Sequence, residues 1–498
     1  MTSHRPTADP TPGATYRPST AHTDLGPGYF DAVRPAVFPK TVLRYRNQRW
    51  AGHIGLGDLD EAAWIAHFGR FEPLPDNMTE PLALRYHGHQ FRTYNPDLGD
   101  GRGFLFAQVR DDQGRLLDLG TKGSGRTPYS RSGDGRLTLK GGVREVLATA
   151  LLEAFGVYTS KSLSLIETGE ELVRGDEPSP TRSSVLVRLS HSHVRFGTFQ
   201  RLLAENDAAR TARLVAHCVK HYHPGAGRGG DPAQEAPALL EAVARASGAM
   251  VAEWMLAGFV HGVLNTDNMV ITGESFDYGP WRFLPTYEPG FTAAYFDETG
   301  LYAYGRQPGS VAWNLERFAE CLTLVAPVAP LEDALKTYGP AFNDALRRVV
   351  CLRLGVTAKD EAADDELLGA FFQFLHGSKA GFERTVFDWH GGAPRKAFAA
   401  ASPQAGLYSG EAFARLLKAL EAHEPRSWTA EAQTYFEGEA PATLLIDQVE
   451  ALWAPIAERD DWSLFEAKLV EIERARLAFA IPARGGPSDG QVATAPAL

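Results

Sequence analysis

The segment His261-Gly262-Val263-Leu264-Asn265-Thr266-Asp267-Asn268, followed by Phe276-Asp277-Tyr278-Gly279, constrains this chain more than any other. It is entered from a run at about 237–258 in which Leu239, Leu240, Val243, Met250, Val251, Trp254 and Met255 recur at helical spacing. A long amphipathic helix is therefore expected to deliver the chain directly into His261. Asn268 and Asp277 offer hard oxygen donors of the kind that bind Mg²⁺, with Mn²⁺ as the alternative. A short strand expected over Met269–Ile271 would turn both toward one cleft. Asp267 is placed either to take a proton from an attacking hydroxyl or to support the metal from behind. His261 is expected to brace the loop by hydrogen bonding rather than to move protons.

Upstream, the apolar runs Phe104–Val109 and Leu116–Lys122 flank the turn Asp111-Asp112-Gln113-Gly114 and predict a β-hairpin. The glycine-rich stretch Lys122–Arg136 follows. Val143, Val146, Leu147, Ala150, Leu151, Ala154 and Phe155 then recur at helical spacing up to Gly156. Two further strands are expected at Ser162–Ile166 and Val185–Leu189. Lys122 at a strand end and Glu145 early in a helix can pair, holding the ammonium against nucleotide phosphates. The segments Gly99-Asp100-Gly101-Arg102 and Gly133-Asp134-Gly135-Arg136 permit close backbone approach to phosphate oxygens. Arg102, Arg126, Arg131 and Arg136 add fork-shaped donors, and Arg188 with Arg195 can clamp a terminal phosphate.

In protein kinases a His-Arg-Asp-x-x-x-x-Asn loop supplies the base and one metal ligand, and Asp-Phe-Gly supplies the other. His261, Asn268 and Asp277 fall on that pattern, but Val263 stands where the base belongs and cannot take a proton. The element order predicts an α+β chain with a bilobal protein-kinase-like fold: a β-rich N-lobe, a helical C-lobe and a helical C-terminal extension. The expected divisions are a disordered tail at 1–25, an N-terminal region with the β-rich nucleotide-binding lobe at 26–197, and a helical lobe with the catalytic-type loop at 198–345. A helical extension at 346–482 and a disordered tail at 483–498 complete the chain.

A net charge of −11 over 498 residues argues against a surface built for nucleic acid. No stretch approaches the roughly eighteen apolar residues of a membrane span, and no secretory signal is evident, so a cytoplasmic protein is expected. The three cysteines, Cys218, Cys321 and Cys351, are widely spaced, and the spacing predicts neither a zinc motif nor a disulfide framework.

Tyr86–Phe91, Leu98–Arg102, Lys122–Arg136, Arg188–Gly197, His261–Met269, Asp277-Tyr278-Gly279-Pro280, Gln307-Pro308 and Trp313-Asn314-Leu315 together resemble the selenoprotein O family, closely over about 80–320. The resemblance implies a kinase-like protein adenylyltransferase that binds its nucleotide inverted and transfers AMP from ATP to Ser, Thr or Tyr hydroxyls of protein substrates, releasing pyrophosphate. It implies nucleotide contacts from Gly99, Gly101, Arg102, Lys122, Asp134, Gly135, Arg188 and Arg195, and Mg²⁺ held by Asn268 and Asp277. Asp267 would be the proton acceptor and Glu145 the partner of Lys122. Family members often carry a cysteine or selenocysteine in the C-terminal tail and a cysteine after the Asp-Tyr-Gly-Pro segment. Neither Arg476–Leu498 nor Thr292-Ala293-Ala294 has one here. Two alternatives stay open: a protein or small-molecule phosphotransferase, against which Val263 counts, and a nucleotide-binding pseudokinase scaffold, which need not keep Lys122, Asp267, Asn268 and Asp277 together.

Overall fold

The computed structural model describes residues 14–175 and 177–482. The N-terminal half is built on a nine-stranded antiparallel sheet. At its centre the hairpin Leu105–Arg110 and Leu116–Lys122 pairs through its second strand with Thr181–Ser190, which pairs in turn with Lys161–Leu172. Side chains alternate across these strands. Leu117, Leu119, Val185, Val187 and Leu189 pack outward against Trp64 and Phe68 of the helix Glu61–Phe68. Leu186 lies opposite Lys122 and Arg188 opposite Gly120, so Lys122 and Arg188 share the inner face.

The helix Leu139–Ala154 crosses that inner face. Its Gly142 packs so tightly that a Cβ there would lie 2.4 Å from Leu165 Cδ1 and 2.8 Å from Ser184 Oγ. This close approach lets Glu145, fully buried, reach the strand that carries Lys122. The last described helix, Ser463–Phe479, lies behind the same helix. The Phe479 ring meets Phe155 at 5.7 Å, and the Arg353 guanidinium sits 4.0 and 4.3 Å from the two ring centroids. The C-terminal helices thus brace the element that positions Glu145.

The remainder is helical. Pro232–Leu256 is the long helix expected from the apolar spacing, and it leads through Phe259–Val260 into His261. Two expectations are corrected. Residues 14–25, assigned by composition to an unstructured tail, are ordered: Pro18–Ser19 pairs with Gln108 and Val109, and Ala21 and Leu25 are buried. A few apolar anchors suffice once a neighbouring strand offers its edge. Residues 1–13 and the expected tail at 483–498 lie outside the described residues. The strand expected at Met269–Ile271 is instead a 3₁₀ turn, Thr266–Asn268, followed by a single bridge from Val270 to Arg195. Among the described residues no helix is long and apolar enough to cross a membrane.

Candidate active site

The floor of the cleft is a buried charge cluster. Lys122 Nζ donates to Glu145 Oε2 at 2.6 Å and to Asp277 Oδ1 at 2.9 Å. Arg188 Nη1 donates to the same Asp277 oxygen at 2.9 Å and lies 3.5 Å from Glu145 Oε1. Burial alone would raise the Asp277 carboxyl, but Lys122, Arg188, Arg102 and Arg195 outweigh it and hold the group well below the usual range. Asp277 sits at φ +63°, a left-handed conformation uncommon for a side chain other than glycine. Arg195 completes the wall: Nη2 donates to Asp100 Oδ1 at 3.0 Å and Nη1 to the Asp267 carbonyl at 3.3 Å. The Arg188 and Arg195 guanidinium groups both stack over Phe276, at 4.4 and 4.9 Å from its ring centre.

Beside this cluster, the loop bearing Asp267 and Asn268 is held at several points. His261 is held by its own backbone N–H on Gln307 Oε1 at 2.9 Å and by Nε2 donating to the Phe276 carbonyl at 2.8 Å. Burial pushes its imidazole pKa below the ordinary value, which suits a neutral brace. Asn265 Oδ1 accepts from the Phe91 N–H at 3.0 Å and the Tyr302 hydroxyl at 2.9 Å. Thr266 Oγ1 accepts from the His89 N–H at 2.7 Å. The Tyr86–Phe91 segment is therefore a clamp on this loop. Its role was not visible in the sequence because the partners lie more than 170 residues away, at separations of 177 and 174.

Asp267 is 9% exposed, and its Oδ1 has no hydrogen-bond partner. Burial, with help from Asp277, pushes its carboxyl up to about 6, while Arg195 and Arg131 oppose the shift. A carboxylate near neutrality with one unengaged oxygen can accept a proton from a hydroxyl brought beside it. Asn268 commits its amide nitrogen to the Val263 carbonyl at 3.1 Å, which leaves its carbonyl oxygen as the atom that could take a metal ion. Together with the Asp277 carboxylate this donor set is all oxygen, as Mg²⁺ requires.

The structure does not bring every expected residue to this cluster. Arg102 is exposed and acts on Asp277 only through its charge. Gly99 and Gly101 lie against Tyr129: a Cβ on Gly99 would sit 2.3 Å from the Tyr129 ring and one on Gly101 2.9 Å from its carbonyl oxygen. Their lack of a side chain is thus already required by packing within the protein. Asp134 is engaged by Arg174 at 2.8 and 3.1 Å, and Arg136 by Glu170 at 2.8–3.0 Å. Gly135, at φ +71°, closes the loop through its carbonyl, which accepts from the Gly125 N–H at 3.2 Å. The partners missed from sequence, Asp100, Tyr86 and Phe276, all serve Arg195. Asp100 had a signal, since it lies inside the Gly99–Arg102 motif.

The family described as "Protein adenylyltransferase SelO" matches residues 13–473. The chain is 44% identical over 465 residues to the protein nucleotidyltransferase YdiU of Trichodesmium erythraeum, covering 90% of this chain and 96% of that one. It is 43% identical over 477 residues to YdiU of a Synechocystis strain, covering 91% and 96%. With YdiU of Vibrio cholerae the identity is 35% over 360 residues, 72% of each chain. The chain belongs to the SelO/YdiU family of protein nucleotidyltransferases.

Proposed function

We propose that the protein is an ATP- and Mg²⁺-dependent adenylyltransferase that attaches AMP to Ser, Thr or Tyr hydroxyls of protein substrates. One observation carries this reading. The buried cations Lys122 and Arg188 converge on Asp277, while Asp267, its carboxyl raised toward neutrality, lies beside Arg195 next to this cluster. The first group suits phosphates, and the second suits an acceptor hydroxyl. Family membership points the same way, since the family is one of protein adenylyltransferases.

In this mechanism Asn268 and Asp277 would hold Mg²⁺, which would supply charge neutralisation to the phosphates when bound. Lys122, kept in place by Glu145, and Arg188 take the β- and γ-phosphates deep in the sheet lobe, with buried Arg195 beside them and exposed Arg102 at the rim. The α-phosphate then faces Asp267. The acceptor hydroxyl gives its proton to Asp267 as its oxygen bonds to the α-phosphorus. The bond to the bridging oxygen breaks, and pyrophosphate leaves with the electron pair, stabilised by the arginines. Gly99, Gly101, Asp134 and Gly135 shape the loops that cover the nucleotide. The sheet lobe at 26–197 and the helical lobe at 198–345 read together as a kinase-like pair, with 346–482 as the bracing extension.

Incubation of the protein and a protein acceptor with ATP labelled at the α- or the γ-phosphate tests this. Label from the α position alone is expected. Transfer from γ would make the protein a phosphotransferase, and transfer from neither, with ATP bound, would make it a scaffold.

A further inference from the structure

Away from the cleft, three metal-ligating side chains converge in the C-terminal helical region. They are Cys351 of the helix Tyr338–Arg353, Asp364 in the first turn of the helix Glu361–Ser378, and His423 just beyond the helix Gly410–Glu421. A sulfur, a carboxylate oxygen and a ring nitrogen lie within 4.8 Å of one another, and all three residues are buried. In sequence they are 13 and 59 residues apart, so no short motif announces them.

The orientation of the imidazole is decisive. His423 Nδ1 lies 2.8 Å from the Ala419 carbonyl oxygen, which can only accept, so Nδ1 carries a proton. The neutral ring would then present a lone pair at Nε2. That nitrogen faces Asp364 Oδ1, another acceptor, at 2.9 Å. Two lone pairs do not face each other at that distance unless one of them carries a proton or a metal ion lies between them. A backbone carbonyl on the far nitrogen is how metal-bound histidines are commonly oriented. Cys351 Sγ, 3.7 Å from the same Asp364 oxygen, adds a soft donor. The Lys359 N–H, at 3.0 Å, fixes that oxygen in place.

Zinc bond lengths of about 2.0–2.1 Å to nitrogen, 2.0–2.2 Å to oxygen and 2.3 Å to sulfur, at tetrahedral angles, imply N···O near about 3.4 Å and S···O near about 3.6 Å. The sulfur–oxygen separation already fits. The nitrogen–oxygen pair must open by roughly half an ångström, within reach of two side-chain rotations. A thiolate, imidazole and carboxylate set selects zinc over the hard cations of the cleft.

We propose that Cys351, Asp364 and His423 form a zinc site, completed by a water, that ties these three helical segments together. Binding exchanges two protons, one from the thiol and one held between His423 and Asp364, for one Zn²⁺; the protons leave to solvent and nothing is oxidised or reduced. The site is independent of the transferase reading, because it shares no residue with the cleft.

Chelator-treated full-length protein titrated with Co²⁺ tests this by absorption. The expected result is one equivalent bound with a thiolate-to-cobalt charge-transfer band in the near ultraviolet and tetrahedral bands in the visible. Cobalt on the oxygen donors of the cleft cannot give the sulfur band. Cys351→Ser should abolish that band while the circular dichroism stays that of the parent. His423→Gln, a second variant that keeps the thiol, should weaken cobalt binding at least tenfold. A parent that shows no band holds a proton between His423 and Asp364 instead, and the proposal falls. A band that survives Cys351→Ser assigns the metal to another thiol and overturns it equally.

Discussion

Replacing Asp267 by asparagine keeps the side chain's shape and removes one buried charge, so it separates what this residue does for catalysis from what it does to stability. Folding lifts the carboxyl from 3.8 to about 6, chiefly by burial. Two pKa units at about 1.36 kcal/mol each put the penalty for the ionised form on the order of 3 kcal/mol. The sign follows from the direction of the shift. The folded protein binds this proton more tightly than the unfolded chain does. That stabilising contribution is complete below about pH 4 and is lost as pH rises through about 6. At pH 8 the parent carries the full penalty and Asp267→Asn does not. The variant should therefore be more stable than the parent at pH 8 by up to about 3 kcal/mol, with the gain shrinking toward zero near pH 4. Urea denaturation of both proteins, free of metal and nucleotide, across that range measures the difference while other titrations cancel. In the same variant AMP transfer should fall by about 10²-fold or more, the usual effect of losing a positioned base. A stability difference flat with pH, or transfer that survives the substitution, would refute the reasoning.

Asp277→Ala removes the shared partner of Lys122 and Arg188, leaving both buried cations to Glu145. It should abolish transfer and cost about 3 kcal/mol in the nucleotide-free protein, yet bind metal-free ATP at least as well as the parent, since phosphates replace the lost carboxylate; parent-like transfer in saturating Mg²⁺ would remove Asp277 from the metal site. Val263→Asp should create no γ-phosphoryl transfer and leave α-transfer unchanged or weaker, because a carboxylate some 4 Å from a bound phosphate costs on the order of 4 kcal/mol at an effective dielectric of about 20. γ-Labelled product from that variant would favour the phosphotransferase. Dithiothreitol should not alter transfer, because Cys218, Cys321 and Cys351 are buried and form no disulfide; a large stimulation that disappears when one of them is replaced would reveal a redox element.

The pairing of Lys122 with Glu145 could be read from sequence because local periodicity decides where each points. Lys122 lies on the inner parity of a strand and Glu145 on the sheet-facing side of a helix, whereas the strand expected between Asn268 and Asp277 is reduced to a single bridge at Val270 and another at Ser275. Arginines carry no such information. Arg136 and Arg188 look equally suited to phosphate, but Glu170 on the neighbouring strand claims Arg136 at a separation of 34 residues. Glycines are as ambiguous: Gly99 and Gly101 could admit a phosphate or a neighbouring residue, and the Tyr129 ring lies against Gly99 while its carbonyl lies against Gly101. The same limit hid the Cys351, Asp364 and His423 cluster, since a motif search weighs residues near in sequence. What sequence conveys well is therefore direction set by backbone period. What it conveys poorly is partner choice among long polar side chains, which is fixed only when distant strands and helices are packed. The aromatic platform beneath Arg188 and Arg195 shows the consequence: Phe276 adjoins Asp277 in sequence, yet it holds the arginines only because Val270 pairs with Arg195 and brings the two segments together.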